Sequence, residues 1–284
     1  MVALVRVQPR IDRKRRRSFI LLSTAAAVVS LGVIEGSAAQ PATATSAAIR
    51  PTAAVDIAAQ FGPAFARVGN REFHPQVLAV LADASSKRFL RVIYPAGSSA
   101  RSCSNCRSIG GAQAVVALAA GPRTEATLSY FVRFPVGFQW QRGGKLPGLC
   151  GGTCNSGGVD PNGFNGWSAR FMWRPGGVAE VYAYLATTRG YGTRLATGAW
   201  HWKADGGWHL VTEHIRLNTP GRFNGVIDVT YGGRLVAHIG GLLFRTTPNL
   251  RIDSLFFSTF YGGHDITWAP TRTMHIDFTR FSIR

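Results

Sequence analysis

From Phe89 onward, apolar and polar residues alternate with a period of two over many short runs, the pattern of half-buried strands. Strands are predicted over 89–94, 112–119, 126–134, 226–231, 234–239, 255–260 and 274–283. The runs 226–231 and 234–239 flank Gly232-Gly233, a hairpin signal. Helical periodicity is scarce. Only the mixed apolar spacing between 61 and 86 suggests it, as a short helix near 76–84. Many short strands with abundant glycine predict an all-β fold: a jelly-roll β-sandwich of two antiparallel sheets in a single domain.

The cleanest alternation lies between 167 and 185. Ser168, Arg170 and Met172 share one face, with Trp167, Ala169, Phe171 and Trp173 behind them. Tyr182 and Tyr184 share a face, with Val181, Ala183 and Leu185 on the reverse. Arg174-Pro175-Gly176-Gly177 reads as the turn. A three-residue loop at 175–177 pairs Arg174 with Val178, sets Arg170 opposite Tyr182 and Ser168 opposite Tyr184, and matches the apolar residues behind. A two-residue loop would put Arg170 opposite Val181 and set the faces in conflict, because a one-residue slip flips every side chain. The chosen register gives a sheet face with an arginine, a serine and two tyrosines. Lys145 is expected nearby, on a Gly-Gly-Lys-Leu-Pro-Gly loop at 143–148. The same pattern also suits an ordinary amphipathic hairpin with a solvated face.

With 284 residues, the chain has room for one large β domain or two small ones. Its formal net charge is +18, and +13 of this remains beyond residue 39. Such a surface suits a polyanion: a nucleic acid, an acidic polysaccharide or an anionic membrane. The N-terminus reads as an export signal over 1–39. Arg13 to Arg17 form a basic stretch, 19–34 are apolar, and Gly36 to Ala39 are small. Arg16-Arg17, two places before Phe19-Ile20, resembles a twin-arginine signal and implies a secreted or periplasmic destination. The apolar run is short for a bilayer span, so no stable membrane association is expected after cleavage. A linker over 40–70, its first part rich in Ala, Pro and Thr, would then lead into the jelly-roll domain at 71–284. Cys103, Cys106, Cys150 and Cys154 suggest two disulfides in an exported chain, with three connectivities open. The local pairing, Cys103–Cys106 and Cys150–Cys154, is preferred, and a zinc site is the rival.

The seven histidines are scattered and form no His-Glu-x-x-His motif, so neither a catalytic metal nor another cofactor is expected. No nucleophile elbow or phosphate loop is present. Glycoside hydrolysis needs two carboxylates. Glu125, Glu180, Glu213, Asp228, Asp253, Asp265 and Asp277 are the candidates, and Glu180 shares the tyrosine face. The hairpin favours a different reaction, β-elimination from a uronic acid. A cation paired with the uronate carboxylate stabilises the charge that builds as the C5 proton leaves, and a phenol among cations can move that proton.

The chain resembles the family-14 polysaccharide lyases from about Leu90 to its end. Gly110-Gly111-Ala112-Gln113, 128–135, Lys145-Leu146-Pro147-Gly148-Leu149, Trp167-Ser168-Ala169-Arg170, Tyr182-Ala183-Tyr184, 257–265 and Trp268-Ala269-Pro270 carry the resemblance in order. It implies a jelly roll that cleaves alginate or a related polyuronate, with Lys145, Ser168, Arg170, Tyr182 and Tyr184 as functional residues. In that reading Tyr184 is base and acid, with Tyr182 supporting it. Arg170 and Lys145 hold the carboxylate, and Ser168 positions a sugar hydroxyl or Tyr184. His264 and Gln113 are added as substrate contacts. The partner is an acidic polysaccharide such as alginate or glucuronan, the chain is expected to be a monomer, and the export signal argues against a nucleic-acid ligand. A non-catalytic polysaccharide-binding module of the same fold is the alternative.

Overall fold

The computed structural model describes residues 61–68, 78–83 and 87–284. One seven-stranded antiparallel sheet runs in the order β1 (Phe65–Val68), β6 (Ala112–Leu118), β15 (Ser254–Thr259), β8 (Gly144–Gly152), β9 (Gly166–Trp173), β10 (Ala179–Tyr184) and β11 (Thr193–Leu195). The second runs β14 (Arg234–Leu242), β13 (Gly225–Tyr231), β12 (His209–Arg216), β7 (Glu125–Arg133), β16 (Met274–Ile283), β3 (Arg88–Tyr94) and β2 (Leu78–Ala82). A short parallel pair, β4 (Ser98–Ser99) and β5 (Ser108–Ile109), stands apart from both. The sandwich is the expected jelly-roll class.

The hairpin register is the one the alternation requires: Arg170 faces Tyr182, Ser168 faces Tyr184, and Phe171 faces Val181. The turn closes with the Arg174 amide donating to the Val178 carbonyl at 2.8 Å. Gly176 and Gly177 both adopt positive φ there, which a side chain would strain.

Three expectations need correction. The helix near 76–84 is instead a strand where it is described, since β2 pairs with β3 from Leu78 to Ala82. The sandwich begins before residue 71: β1 lies inside the expected linker and pairs with β6, and the Phe61 and Phe65 side chains are buried in the core. Lys145 is not on a loop but on β8, paired with Met172. The expected export signal over 1–39 and the linker as far as residue 60 lie outside the described residues.

The core lies between the sheets. Leu128, Tyr130 and Val132 of β7 and Val211 and Ile215 of β12 meet Trp167, Ala169 and Phe171 of β9 and Val181 and Ala183 of β10 in one apolar cluster. Fully burying each of the Val, Leu, Ile and Phe side chains among them contributes about 1.5–3 kcal/mol. β9 and β10 are buried on both faces, so something also covers the side facing away from the core.

β8 carries the detail that positions the site. Leu146 and Leu149 both point inward although three residues apart, which a period of two forbids. The register accommodates them with a bulge: Leu146 pairs with Phe171, Gly148 with Arg170, and Pro147 is the additional residue. Two polar groups from the opposite sheet satisfy the bulged backbone. The Tyr130 hydroxyl donates to the Pro147 carbonyl at 3.0 Å, and Glu213 Oε2 accepts from the Leu149 amide at 2.8 Å. Glu213 is fully buried and its Oε1 has no hydrogen-bond partner. Burial pushes its carboxyl well above the usual range, only partly opposed by the Leu149 amide.

This raised value has a definite consequence for stability. Glu213 keeps its proton in the fold, so its contribution is fully present below the unfolded carboxyl value of about 4.3 and is lost as pH rises toward the folded one. Gln at this position accepts from the same amide and does not ionise. Glu213→Gln is therefore expected to melt progressively higher than wild type as pH rises from 5 to 8, in thermal denaturation followed by circular dichroism. A gap independent of pH would show that Glu213 is not held protonated.

Candidate active site

Because β9 presents even-numbered residues away from the core, Ser168, Arg170 and Met172 rise from one face, and β10 adds Tyr182 and Tyr184 beside them. A cleft of about 590 Å³ opens over that face. Lys145, Arg170, Tyr182 and Tyr184 all line it, as do Gln113 and His264. The structure thus brings together six of the seven residues singled out in the sequence. Ser168 is the exception. It is fully buried and its hydroxyl donates to the Asn155 carbonyl at 2.6 Å, which holds a loop and is closed to a sugar.

Arg170 is the floor of the cleft, only 2% exposed. Its guanidinium lies 4.5 Å over the Phe256 ring, and Nη1 donates to Ser258 Oγ at 3.0 Å. Ser258 in turn donates to Gln113 Oε1 at 3.3 Å. Arg170 therefore reaches past β8 to β15, and it does so opposite Gly148, where a Cβ would lie 2.1 Å from the Ala169 carbonyl oxygen.

Lys145 Nζ stands 3.7 Å from the centre of the Tyr182 ring and 2.8 Å from Met172 Sδ. Desolvation, reinforced by Arg170 and Arg174, holds this lysine well below its ordinary value, with Glu180 in partial opposition. The aromatic face favours the charged form, but burial among guanidinium groups outweighs it. Tyr182 moves the other way. Burial and its hydrogen-bonded neighbour Tyr184 push the phenol up to about 12, against the Gly192 amide and Arg170. The two tyrosine rings meet edge to face at 5.8 Å, and Tyr184 Oη accepts from the Gly158 amide at 3.1 Å.

Irregular backbone forms the walls. On one side, Ser99 donates to the carbonyls of Tyr261 and Gly262, and the Ser104 amide donates to that of His264. The Cys103–Cys106 disulfide closes this loop. On the other, Asn155 and Gly158 hold Ser168 and Tyr184, just beyond the Cys150–Cys154 disulfide. Both disulfides pair as preferred from the sequence. Arg174, Trp268 and Tyr191 also line the cleft and were not foreseen. For Arg174 the signal was available, since it continues the even-numbered face of 168, 170 and 172.

No carboxylate is among the lining residues. Glu180, first of the hydrolase candidates, is buried and spent on Arg174 at 2.5 Å, Arg194 at 2.8 Å and Thr197 at 2.9 Å. Asp277 is clamped by Arg91 and Arg133, Asp228 and Glu125 bind His214, and Glu213 is in the core. Among the described residues, no group of three or more His, Cys, Asp or Glu converges to hold a metal ion.

The family model Polysaccharide lyase 14 matches residues 82–281, and the chain belongs to that family of polysaccharide lyases. No curated protein matches it. Among solved structures, the marine PL-14 alginate lyase from Aplysia kurodai is 28% identical at a TM-score of 0.68, over 80% of this chain and 92% of that one. Alginate lyase Aly36B is 24% identical at 0.64, over 82% and 91%, and alginate lyase vAL-1 from Chlorella virus is 21% identical at 0.66, over 80% and 95%. The last two likenesses concern the fold.

Gly192 packs directly on the tyrosine pair: a Cβ there would lie 2.7 Å from the Tyr182 ring and 2.9 Å from that of Tyr184. Gly192→Ala must displace both rings. It is expected to lower lyase activity about a hundredfold, the scale of an ångström-sized misplacement, while the circular dichroism spectrum stays that of the wild type. Undiminished activity would mean that the ring positions are immaterial to turnover.

Proposed function

We propose that the chain is an exported lyase that cleaves a polyuronate, alginate or glucuronan, by β-elimination. The observation that carries this reading is a cleft lined by Lys145, Arg170 and Arg174 with three phenols and no carboxylate. Such a lining attracts a polyanion and lacks the carboxylate pair of glycoside hydrolysis. The relative from Aplysia kurodai is an alginate lyase, and a variant of Aly36B was solved in complex with alginate tetrasaccharide. Two disulfides suit an oxidising compartment, in keeping with export.

In the mechanism, Arg170 takes the uronate carboxylate and stabilises the negative charge that develops as C5 loses its proton. The sequence alone suggested Tyr184 as base and Lys145 as a second carboxylate cation. The electrostatics favour another division. A lysine held below its ordinary value has the neutral amine available to accept the C5 proton, whereas a phenol at about 12 keeps its proton for donation. The electrons of the C5–H bond form the C4–C5 double bond, the C4–oxygen bond breaks, and Tyr182 protonates the departing glycosidic oxygen. The new Lys145 ammonium, next to the Tyr182 ring, then returns the proton to the phenolate. Tyr184 orients Tyr182 through their hydrogen bond.

Purified protein mixed with alginate or polyglucuronate should release unsaturated products, seen as rising ultraviolet absorbance and as masses lacking one water. Saturated products would reject elimination, and an intact but bound polymer would favour the binding module. Lys145→Arg separates the two lysine roles, because arginine keeps the charge but does not deprotonate. Loss of about a hundredfold to ten-thousandfold is expected if Lys145 is the base; near-wild-type turnover would return that role to Tyr184. The rate should rise with pH through the lowered Lys145 value, stay high, and fall only as Tyr182 ionises near 12. A maximum near pH 5 would contradict both assignments.

A further inference from the structure

Tyr191 is left over once the chemistry is assigned. It lines the cleft, yet 74% of its surface faces solvent. An exposed aromatic is unremarkable by itself, but this one is held on both sides. The Gly190 amide donates to Asp160 Oδ1 at 2.5 Å, and the Gly192 amide bonds to the Tyr182 oxygen. Thr188 and Thr193 hydrogen-bond across the base of the same loop at 2.8 Å. The ring edge comes within 3.9 Å of where a Cβ on Gly158 would lie, in the loop that binds Tyr184. The backbone on both sides of Tyr191 is thus anchored, and its phenol lines the cleft beside the loop that holds Tyr184.

We propose that Tyr191 is a stacking platform for a sugar ring next to the unit being cleaved, and hence a specificity-determining residue. The inference rests on the polyuronate reading of the cleft. A pyranose offers an apolar C–H face and a polar edge. In this cleft Arg170 and Arg174 address carboxylates at the edge, and Tyr191 meets the face. Because the loop is already ordered, little freedom is lost when the sugar docks. Epimers differ in which substituents project from that face, so an aromatic ring on an anchored loop discriminates among uronates.

The experiment uses oligouronates of defined length, from disaccharide to hexasaccharide, cut from alginate and from polyglucuronate. Steady-state kinetics on the wild type, Tyr191→Ala and Tyr191→Trp would be paired with equilibrium binding to each chain carrying Lys145→Met, which prevents turnover. In the wild type, affinity should step up at the length that first reaches the platform. In Tyr191→Ala that step should vanish, with KM and Kd for longer oligomers up roughly three- to tenfold, the scale of an aromatic contact. The loss should fall on KM rather than kcat, and Tyr191→Trp should restore the step. Phe223→Ala, at a position 62% exposed and outside the cleft lining, is the control and should match the wild type. Equal Kd and KM at every length in Tyr191→Ala would overturn the proposal, as would an equal loss in Phe223→Ala. Turnover without a Tyr191 effect sinks the platform and leaves the lyase reading standing. Binding that weakens in Tyr191→Ala, without turnover of either polymer by the wild type, does the reverse. No binding of any oligouronate ends both.

Discussion

The cleft depends on a mismatch of period in β8. Lys145 must face outward with Met172, while Leu146 and Leu149 must both enter the core, and no regular strand allows this. The bulge at Pro147 absorbs the difference and keeps Cys150 on the outer face, opposite Ser168. Its freed carbonyl and amide lie inside the sandwich, where an unsatisfied group costs about 1–3 kcal/mol. Tyr130 and Glu213 reach across from the other sheet to meet them. The buried Tyr130 hydroxyl and Glu213 carboxyl are thereby explained. They support a kink on whose outer face the cleft lysine stands.

That kink places Lys145 among like charges, and the like charges determine what the cleft can hold. Arg170 and Arg174 both disfavour its ammonium form, and Glu180 compensates little because it is shared by Arg174 and Arg194. The cleft therefore keeps excess positive charge while the ammonium form of one of its cations is disfavoured. A uronate carboxylate, the group proposed to bind there, would reduce that excess, and its charge would complement the cleft at the floor as well as over the whole chain.

How much of this was legible follows from where period two holds. The hairpin of β9 and β10 obeys it on both faces and ends in two glycines, so its register could be computed from residue numbers. β8 breaks it, and Gly143-Gly144-Lys145-Leu146-Pro147-Gly148 has the composition of a loop. β12 was missed for a related reason: Glu213 occupies an inward position between Val211 and Ile215, so the apolar alternation is interrupted. The face of Ser168 was read correctly from parity, but the loop between β8 and β9 folds back over it, and strand periodicity says nothing about loops. Tyr191 had only a faint signal, an aromatic between two glycines.

The walls follow a different logic from the sandwich. Cys103–Cys106 and Cys150–Cys154 close loops with sequence separations of 3 and 4, so they remove little entropy from the unfolded chain compared with bridges between distant residues. Global stability comes instead from the two sheets and the aromatic core between them. What the short bridges constrain is local: the backbone beside Ser99 and Ser104 on one wall, and that leading to Asn155 and Gly158 on the other. These segments lack ladder partners along much of their length, yet they must hold Tyr184 and the carbonyls of residues 261–264 in place. Covalent closure fixes them without lengthening the sheets. The sandwich thus supplies the floor and its charges, and the disulfide-bound loops supply the shape of the opening that a polymer must enter.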